Sequence, residues 1–272
     1  MNRIDARYAE LRGAGRIGLI PFVTAGDPSP DLLVPTMQAL VAAGADLIEL
    51  GVPFSDPMAD GPVIQHASER AVARGVGIAL ILDRVAAFRR DDAATPVILM
   101  GYLNPIEIYG WARFARDAAA AGVDGVLLVD CPVEEADRAA PLAQAGLHQI
   151  FLVAPTTTPE RLGGVTARAQ GFLYLVSFAG VTGANRLDTG EIAQRIAAIR
   201  RATEVPIAVG FGVRDAASAA AIGAAGADAV VVGSALVERL AGAADAAEVA
   251  ARIDECLAPI RRALDAAPRD PS

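Results

Sequence analysis

A carboxyl side chain stands inside an apolar run at Asp46-Leu47-Ile48-Glu49-Leu50-Gly51. A strand of that composition is buried on both faces, so Glu49 leaves bulk water whichever way it points, and burial raises a carboxyl pKa. A carboxyl poised near neutrality can give and take a proton, which a solvated one does poorly. The competing reading is a structural Glu neutralised by an Arg from a neighbouring element, and few of the apolar runs end in Arg. Further on, Asp60 closes a loop dense in turn formers, Phe54-Ser55-Asp56-Pro57-Met58-Ala59-Asp60-Gly61, just before Pro62, a residue suited to begin a helix. There the helix dipole and the free N–H groups would favour an ionised carboxylate. Asp60 therefore reads either as a plain helix cap or as a fixed negative charge facing a protonated Glu49, and Asp56 as a loop or interface residue. Two carboxyls in different environments suit a reaction that moves a proton at one point and stabilises positive charge at another.

A second chemistry is written in glycine. Gly210-Phe211-Gly212 and Gly233-Ser234 each follow an apolar run and lead into a helix, where bare backbone lets N–H groups approach an anion. The pair implies a phosphate ester held by amides, the Ser234 hydroxyl and a helix N-terminus, with Arg214 nearby; tight turns are the alternative. The stretch Phe178-Ala179-Gly180-Val181-Thr182-Gly183-Ala184-Asn185 is polar, punctuated by glycine and long enough to fold over a ligand, and it reads as a lid.

The elements that must position these groups recur. Eight runs rich in Val, Ile and Leu (18–24, 46–50, 96–102, 124–129, 149–153, 172–177, 206–209 and 228–232) alternate with Ala-rich amphipathic stretches at 31–43, 62–74, 111–121, 134–145, 159–169, 191–202, 215–225 and 246–264. Gly44, Gly122, Gly146 and Gly226 each sit where a helix ends just before a strand. Eight strands with crossover helices and no dividing linker predict an α/β fold, a single (β/α)8 TIM barrel spanning 1–272, with a doubly wound sheet as the alternative. Residues 1–16 hold an extra N-terminal helix plugging the barrel floor, and 266–272 a flexible tail. Glu49, Asp60 and both glycine loops then fall at the strand ends where such barrels place their active sites.

Composition removes other functions. All 24 basic residues of the 272 are Arg, so an imine-forming aldolase, which needs a Lys amine, is excluded. Against 32 acidic residues they give a net charge of −8 with no Arg block, which argues against nucleic acid. Cys131 and Cys256 form no CxxC or Cys/His cluster, so neither a disulfide framework nor a metal site is expected. No stretch approaches the ~18 unbroken apolar residues of a membrane span. A soluble, cytoplasmic protein is the expectation.

The motifs Phe22-Val23-Thr24-Ala25-Gly26-Asp27-Pro28, Glu49-Leu50-Gly51-Val52-Pro53-Phe54-Ser55-Asp56-Pro57 through Gln65, Gly180-Val181-Thr182-Gly183 and Gly210-Phe211-Gly212 together resemble the tryptophan synthase alpha chain, from about Arg3 to Arg262. The resemblance implies reversible retro-aldol cleavage of indole-3-glycerol phosphate to indole and glyceraldehyde 3-phosphate, without cofactor or metal. It also implies a pyridoxal-phosphate beta chain as partner in an alpha2-beta2 heterotetramer. By match to the family, Glu49 protonates indole C3 and accepts the glycerol hydroxyl proton, Asp60 bonds the indole N–H, and Tyr174 joins them as the third catalytic residue. Phe22, Met100, Leu127, Thr182 and Phe211 surround the indole and glycerol; Gly183, Gly210, Gly212, Gly233 and Ser234 hold the phosphate. Two positions depart from the family pattern: Met100, where Leu is common, and Phe178, where many members carry Arg before the lid glycine. The rival readings are a sugar-phosphate isomerase with Glu49 as base, and a non-catalytic subunit that only activates a beta chain.

Overall fold

Each apolar run becomes a parallel strand: β1 Gly18–Thr24, β2 Ile48–Gly51, β3 Val97–Gly101, β4 Gly125–Leu128, β5 His148–Val153, β6 Leu173–Val176, β7 Ile207–Gly210 and β8 Ala229–Val232. In this computed structural model, which describes residues 1–176, 189–210 and 212–267, β8 pairs back onto β1 and closes the barrel in sequence order. Closure rules out the doubly wound sheet, which keeps two open edges. Around it lie α1 Arg3–Gly13, α2 Leu33–Ala42, α3 Pro62–Ala73, α4 Ile78–Phe88, α5 Leu103–Tyr109, α6 Trp111–Ala121, α7 Ala140–Gln144, α8 Pro159–Arg168, α9 Thr189–Arg200, α10 Ala216–Ala224, α11 Ser234–Leu240 and α12 Ala246–Ala266.

The buried side chains fall into two sets that follow the period-two alternation of a strand. Leu19, Val23, Ile48, Leu50, Val97 and Leu99 pack outward against the helices. Ile20, Phe22, Leu47, Ile98, Leu127, Ile150, Tyr174 and Ala208 point into the barrel. Glu49 alternates with Ile48 and Leu50, so it points inward. Helix α1 closes the floor as expected, placing Ile4, Tyr8 and Leu11 in the inner set beside Phe172, with Tyr8 and Phe172 ring centroids 5.7 Å apart.

Helix α6 shows how sequence sets an element: Phe114, Ala115, Ala118 and Ala121 recur at helical spacing and are the residues it buries, and Gly122 ends it at φ 91°. Gly44, Gly146 and Gly226 also take positive φ. Three helices were not expected. α4 carries a clean apolar stripe at Ile78, Ile81, Leu82, Val85 and Phe88 that the β2 to β3 connection simply contains. α5 and α11 are seven residues each, too short to show a period. The stretch 134–145 is a 3-10 helix, Val133–Ala139, that passes into α7 at Ala140, just ahead of Pro141. Helix α12 runs on to Ala266, the first residue of the expected tail; 268–272 lie outside the described residues.

The barrel floor is closed by carboxylates. Asp46, Asp124 and Asp228, each following a glycine by two residues and each at most 6% exposed, reach back to the start of the preceding strand: they accept from the amides of Leu19 (2.9 Å), Val97 (2.9 Å) and Ile207 (2.7 Å). Each also takes an Arg: Arg261 of α12, Arg89 beyond α4, and Arg200 of α9. At the corresponding place, two residues after Gly146, β5 opens with His148, whose Nε2 lies 2.9 Å from Asp5 of α1.

Candidate active site

At the opposite rim, strand register sets the first layer. Glu49 lies beside Phe22 of β1 and Ile98 of β3, and Met100 beside Leu127. Glu49 is 1% exposed, and neither carboxyl oxygen has a hydrogen-bond partner among the described residues. No Arg among the described residues neutralises it. Burial alone therefore raises its pKa to about 8, so it carries a proton at neutral pH and can still lose it.

Tyr174 of β6 is 5% exposed and points into the same space; burial first, then the charges of Glu49 and Asp60, push its phenol far up from the ordinary range. It stays a neutral hydroxyl. Gly210, on the neighbouring strand, explains how the ring fits: a Cβ there would lie 2.1 Å from the Tyr174 hydroxyl. Gly51 does the same for Phe22, whose ring tip would meet a Cβ at 2.5 Å. Gly210 thus makes room for Tyr174, a role the sequence did not reveal, whereas an anion had been expected there.

Asp60 differs from both sequence expectations. The N-cap of α3 is Gly61, with Asp60 one residue earlier, so the plain-cap reading fails. Nor does the helix start lower its pKa: half-burial raises it, and the Tyr102 hydroxyl opposes the rise. Tyr102 receives the Ala59 amide at 3.0 Å, so its own proton goes to Asp60 Oδ2, 3.1 Å away. The ring is held by Phe54, centroid to centroid 5.3 Å. Tyr102 is the functional residue sequence reasoning missed. Its signal was akin to the one that marked Glu49: a polar group in an apolar run, here at the end of 96–102.

Phe22, Met100 and Asp60 line one cleft with Thr24, Ile64, Ser68 and Tyr102. Leu127 is fully buried beneath, in the inner set with Phe22 and Tyr174. Across the mouth, β7 and β8 are neighbours, so Gly212, at φ 83°, and Gly233-Ser234 leave the barrel side by side. Gly233 caps α11, no side chain caps that helix, and Ser234 is exposed. Of the first amides of α11, those of Leu236 and Val237 go to the Gly233 carbonyl, and no side chain takes the ones before them. Helix α10 is different: Asp215 and Ser218 form a capping box that uses its first amides, and Ser218 also takes the Arg214 amide. Arg214 itself is exposed. Phe178, Thr182, Gly183 and Phe211 lie outside the described residues. Among the described residues no group of three or more His, Cys, Asp or Glu could hold a metal ion.

A closed eight-stranded barrel with a protonated carboxyl sealed under its active rim, a second carboxyl set by a tyrosine, and open amides opposite defines a TIM-barrel enzyme of the acid–base kind. Residues 8–264 match the family model described as tryptophan synthase alpha chain. The chain is 60% identical over 267 residues to the tryptophan synthase alpha chain of Xylella fastidiosa (strain 9a5c), covering 98% of this chain and 99% of that one. It is also 60% identical over 269 residues to that of Xanthomonas oryzae pv. oryzae (strain MAFF 311018), covering 98% and 100%. Its fold is similar to the crystal structure of tryptophan synthase subunit alpha from Legionella pneumophila str. Paris, with TM-score 0.90 and 43% identity over 97% of this chain and 99% of that one. It is likewise similar to a chain of Mycobacterium tuberculosis tryptophan synthase, with TM-score 0.86 and 38% identity over 97% and 98%. The chain belongs to the tryptophan synthase alpha chain family.

Proposed function

We propose that this barrel mouth performs the alpha reaction on indole-3-glycerol phosphate with Glu49 as its proton carrier. As a family member the chain is a carbon–carbon lyase of tryptophan biosynthesis. The observation that carries the site assignment is Glu49: a buried carboxyl with no partner among the described residues, protonated at neutral pH and aimed into the mouth. Glu49 gives its proton to indole C3, which makes the ring nitrogen cationic, and Asp60 accepts the N–H hydrogen bond as that charge develops. The Glu49 carboxylate so formed takes the proton of the glycerol hydroxyl. That O–H electron pair becomes the aldehyde carbonyl as the C3–carbon bond breaks, and the bonding pair returns to the indole. Atoms and charge balance without an imine, in keeping with a chain that has no Lys.

Phe22, Met100 and Leu127 supply the apolar wall against the indole, with Phe211 and Thr182, and Tyr174 packs over the reacting carbon. Gly183, Gly210, Gly212, Gly233 and Ser234 are assigned to the phosphate, of which Gly233 and Ser234, at the uncapped start of α11, have the best geometric support. Residues 1–272 act as one domain, placed in the cytoplasm; no helix among the described residues is long and apolar enough to cross a membrane.

Family membership implies a beta-chain partner. The large apolar side chains exposed on the active rim among the described residues, Met58 (85% exposed) in the loop after β2 and Ile108 (81%) on α5, are a surface that association would bury. We assign the beta chain to that surface, in an alpha2-beta2 heterotetramer. The deciding experiment is indole release from indole-3-glycerol phosphate by the chain alone and with a cognate beta chain. Slow release alone and faster release with the partner are expected; no release in either case rejects the alpha reaction, and an unchanged rate rejects activation through association. Tyr102→Phe, which deletes the only hydroxyl donated to Asp60 among the described residues, is expected to lower kcat/KM about tenfold and to shift its acidic limb to higher pH. A pH-rate profile of variant and parent reads both.

A further inference from the structure

Thr24 ends β1 on the inward face, two residues beyond Phe22, and is 2% exposed. Its hydroxyl has no hydrogen-bond partner among the described residues. Buried hydroxyls are rarely left so, because the lost partner goes uncompensated. The side chain lines a cavity of about 10 Å³ shared with Ser68, Asp60 and Tyr102, with Ile64 and Val129 on its apolar side. Ser68, on the α3 face that packs toward β1, is 4% exposed and brings a second hydroxyl. Space of about 10–15 Å³ holds one water, provided two to four polar groups meet it, and only apolar cavities of that size stay dry.

We propose that Thr24 and Ser68 hold one ordered water against Asp60, and that this water and the Tyr102 hydroxyl together fix the orientation of the Asp60 carboxylate. Tyr102 already satisfies Oδ2. The water supplies the second donor, to Oδ1, while its remaining bonds run to the two hydroxyls. The carboxylate is then pinned at both oxygens before substrate arrives, so no reorganisation is needed as the indole nitrogen becomes cationic. Thr24 and Ser68 are positioning residues on this account, acting through Asp60. The inference rests on the proposed role of Asp60 at the indole N–H.

The test combines crystallography with kinetics. High-resolution structures of the full chain and of its Thr24→Val and Thr24→Ser variants should show one water within hydrogen-bond distance of Thr24 Oγ1 and Ser68 Oγ in the parent. It should be lost in Thr24→Val and kept in Thr24→Ser. In the complex with the beta chain, Thr24→Val should lower kcat about tenfold with KM little changed, and Thr24→Ser should stay within about twofold of the parent. A parent structure without that water, or a Thr24→Val chain with the parental kcat, overturns the proposal. Should Thr24→Val not fold, Ser68→Ala removes the other hydroxyl and must show the same loss of kcat. If the parent releases no indole, the reading of Asp60 fails, and the density beside Thr24 still decides the water.

Discussion

Glu49→Gln is expected to slow indole release about 10³-fold and, at pH 9, to unfold at a higher temperature than the parent. The kinetic half follows from shape and charge: the amide fills the same space but cannot protonate C3 or take the glycerol proton. The stability half follows from burial. The side chain is buried and has no partner among the described residues, so its ionised form is disfavoured in the folded state, where it titrates at about 8 against 4.5 for an ordinary Glu. Between those values unfolding releases a proton, so the stability Glu49 contributes is intact below pH 4.5 and is lost as pH rises toward 8. The loss then levels off at several kcal/mol. Gln does not ionise and escapes it. Melting temperatures of both chains from pH 5 to 9 should therefore diverge progressively with pH. Parallel curves would mean that water or a partner reaches the carboxyl, and the acid role assigned to it would go with its desolvation.

The same residue shows what a sequence reveals of such a site. Glu49 was legible because a carboxyl in an apolar run is anomalous whatever the fold, and the fold was legible because eight such runs alternate with amphipathic stretches. Asp60 was only half legible. Its neighbourhood to Pro62 pointed to a helix start, but whether a residue is the cap or stands one place before it depends on backbone torsions that a turn-rich loop does not specify. The sign of its pKa shift followed from that difference, since a residue outside the first turn gains little from the helix dipole while burial still acts on it. Gly210 was legible as a glycine, but one reason for it was not. The space its missing Cβ leaves is taken by the Tyr174 ring, a cross-strand contact between β6 and β7 that no local pattern encodes. Helices α5 and α11 escaped for a simpler reason, being shorter than the window in which a 3.6-residue period can be recognised.

Far from the chemistry, Asp124→Ala is expected to destabilise the chain by about 3–5 kcal/mol while leaving kcat of the folded enzyme unchanged. Asp124 is 3% exposed and collects three donors: the Val97 amide at the foot of β3 (2.9 Å), Arg89 (2.8 Å) and Arg3 of α1 (2.9 Å). Arg3 is partly in solvent and can rehydrate, but Arg89 is not so placed. Its side chain is 10% exposed, burial already lowers its pKa, and Asp124 is the main charge that opposes the shift. Its remaining bonds run to the backbone carbonyls of Gly122, Asp92 and Thr95, which accept a cation without neutralising it. Removing the carboxylate therefore leaves a buried cation with only Asp92, 3.9 Å away, to balance it, leaves a strand amide without its acceptor, and takes one of its ties from the helix that plugs the floor. Asp124→Asn separates these effects, because its amide oxygen can still accept from Val97 while the charge is gone; a loss of about half the alanine value is expected. Urea unfolding midpoints of the two variants measure this, with indole release on the folded fraction as the check on the site. A loss below about 1 kcal/mol for Asp124→Ala would mean that the carboxylates at Asp46, Asp124 and Asp228 do not close the barrel floor and that the apolar plug of Ile4, Tyr8 and Leu11 does so alone.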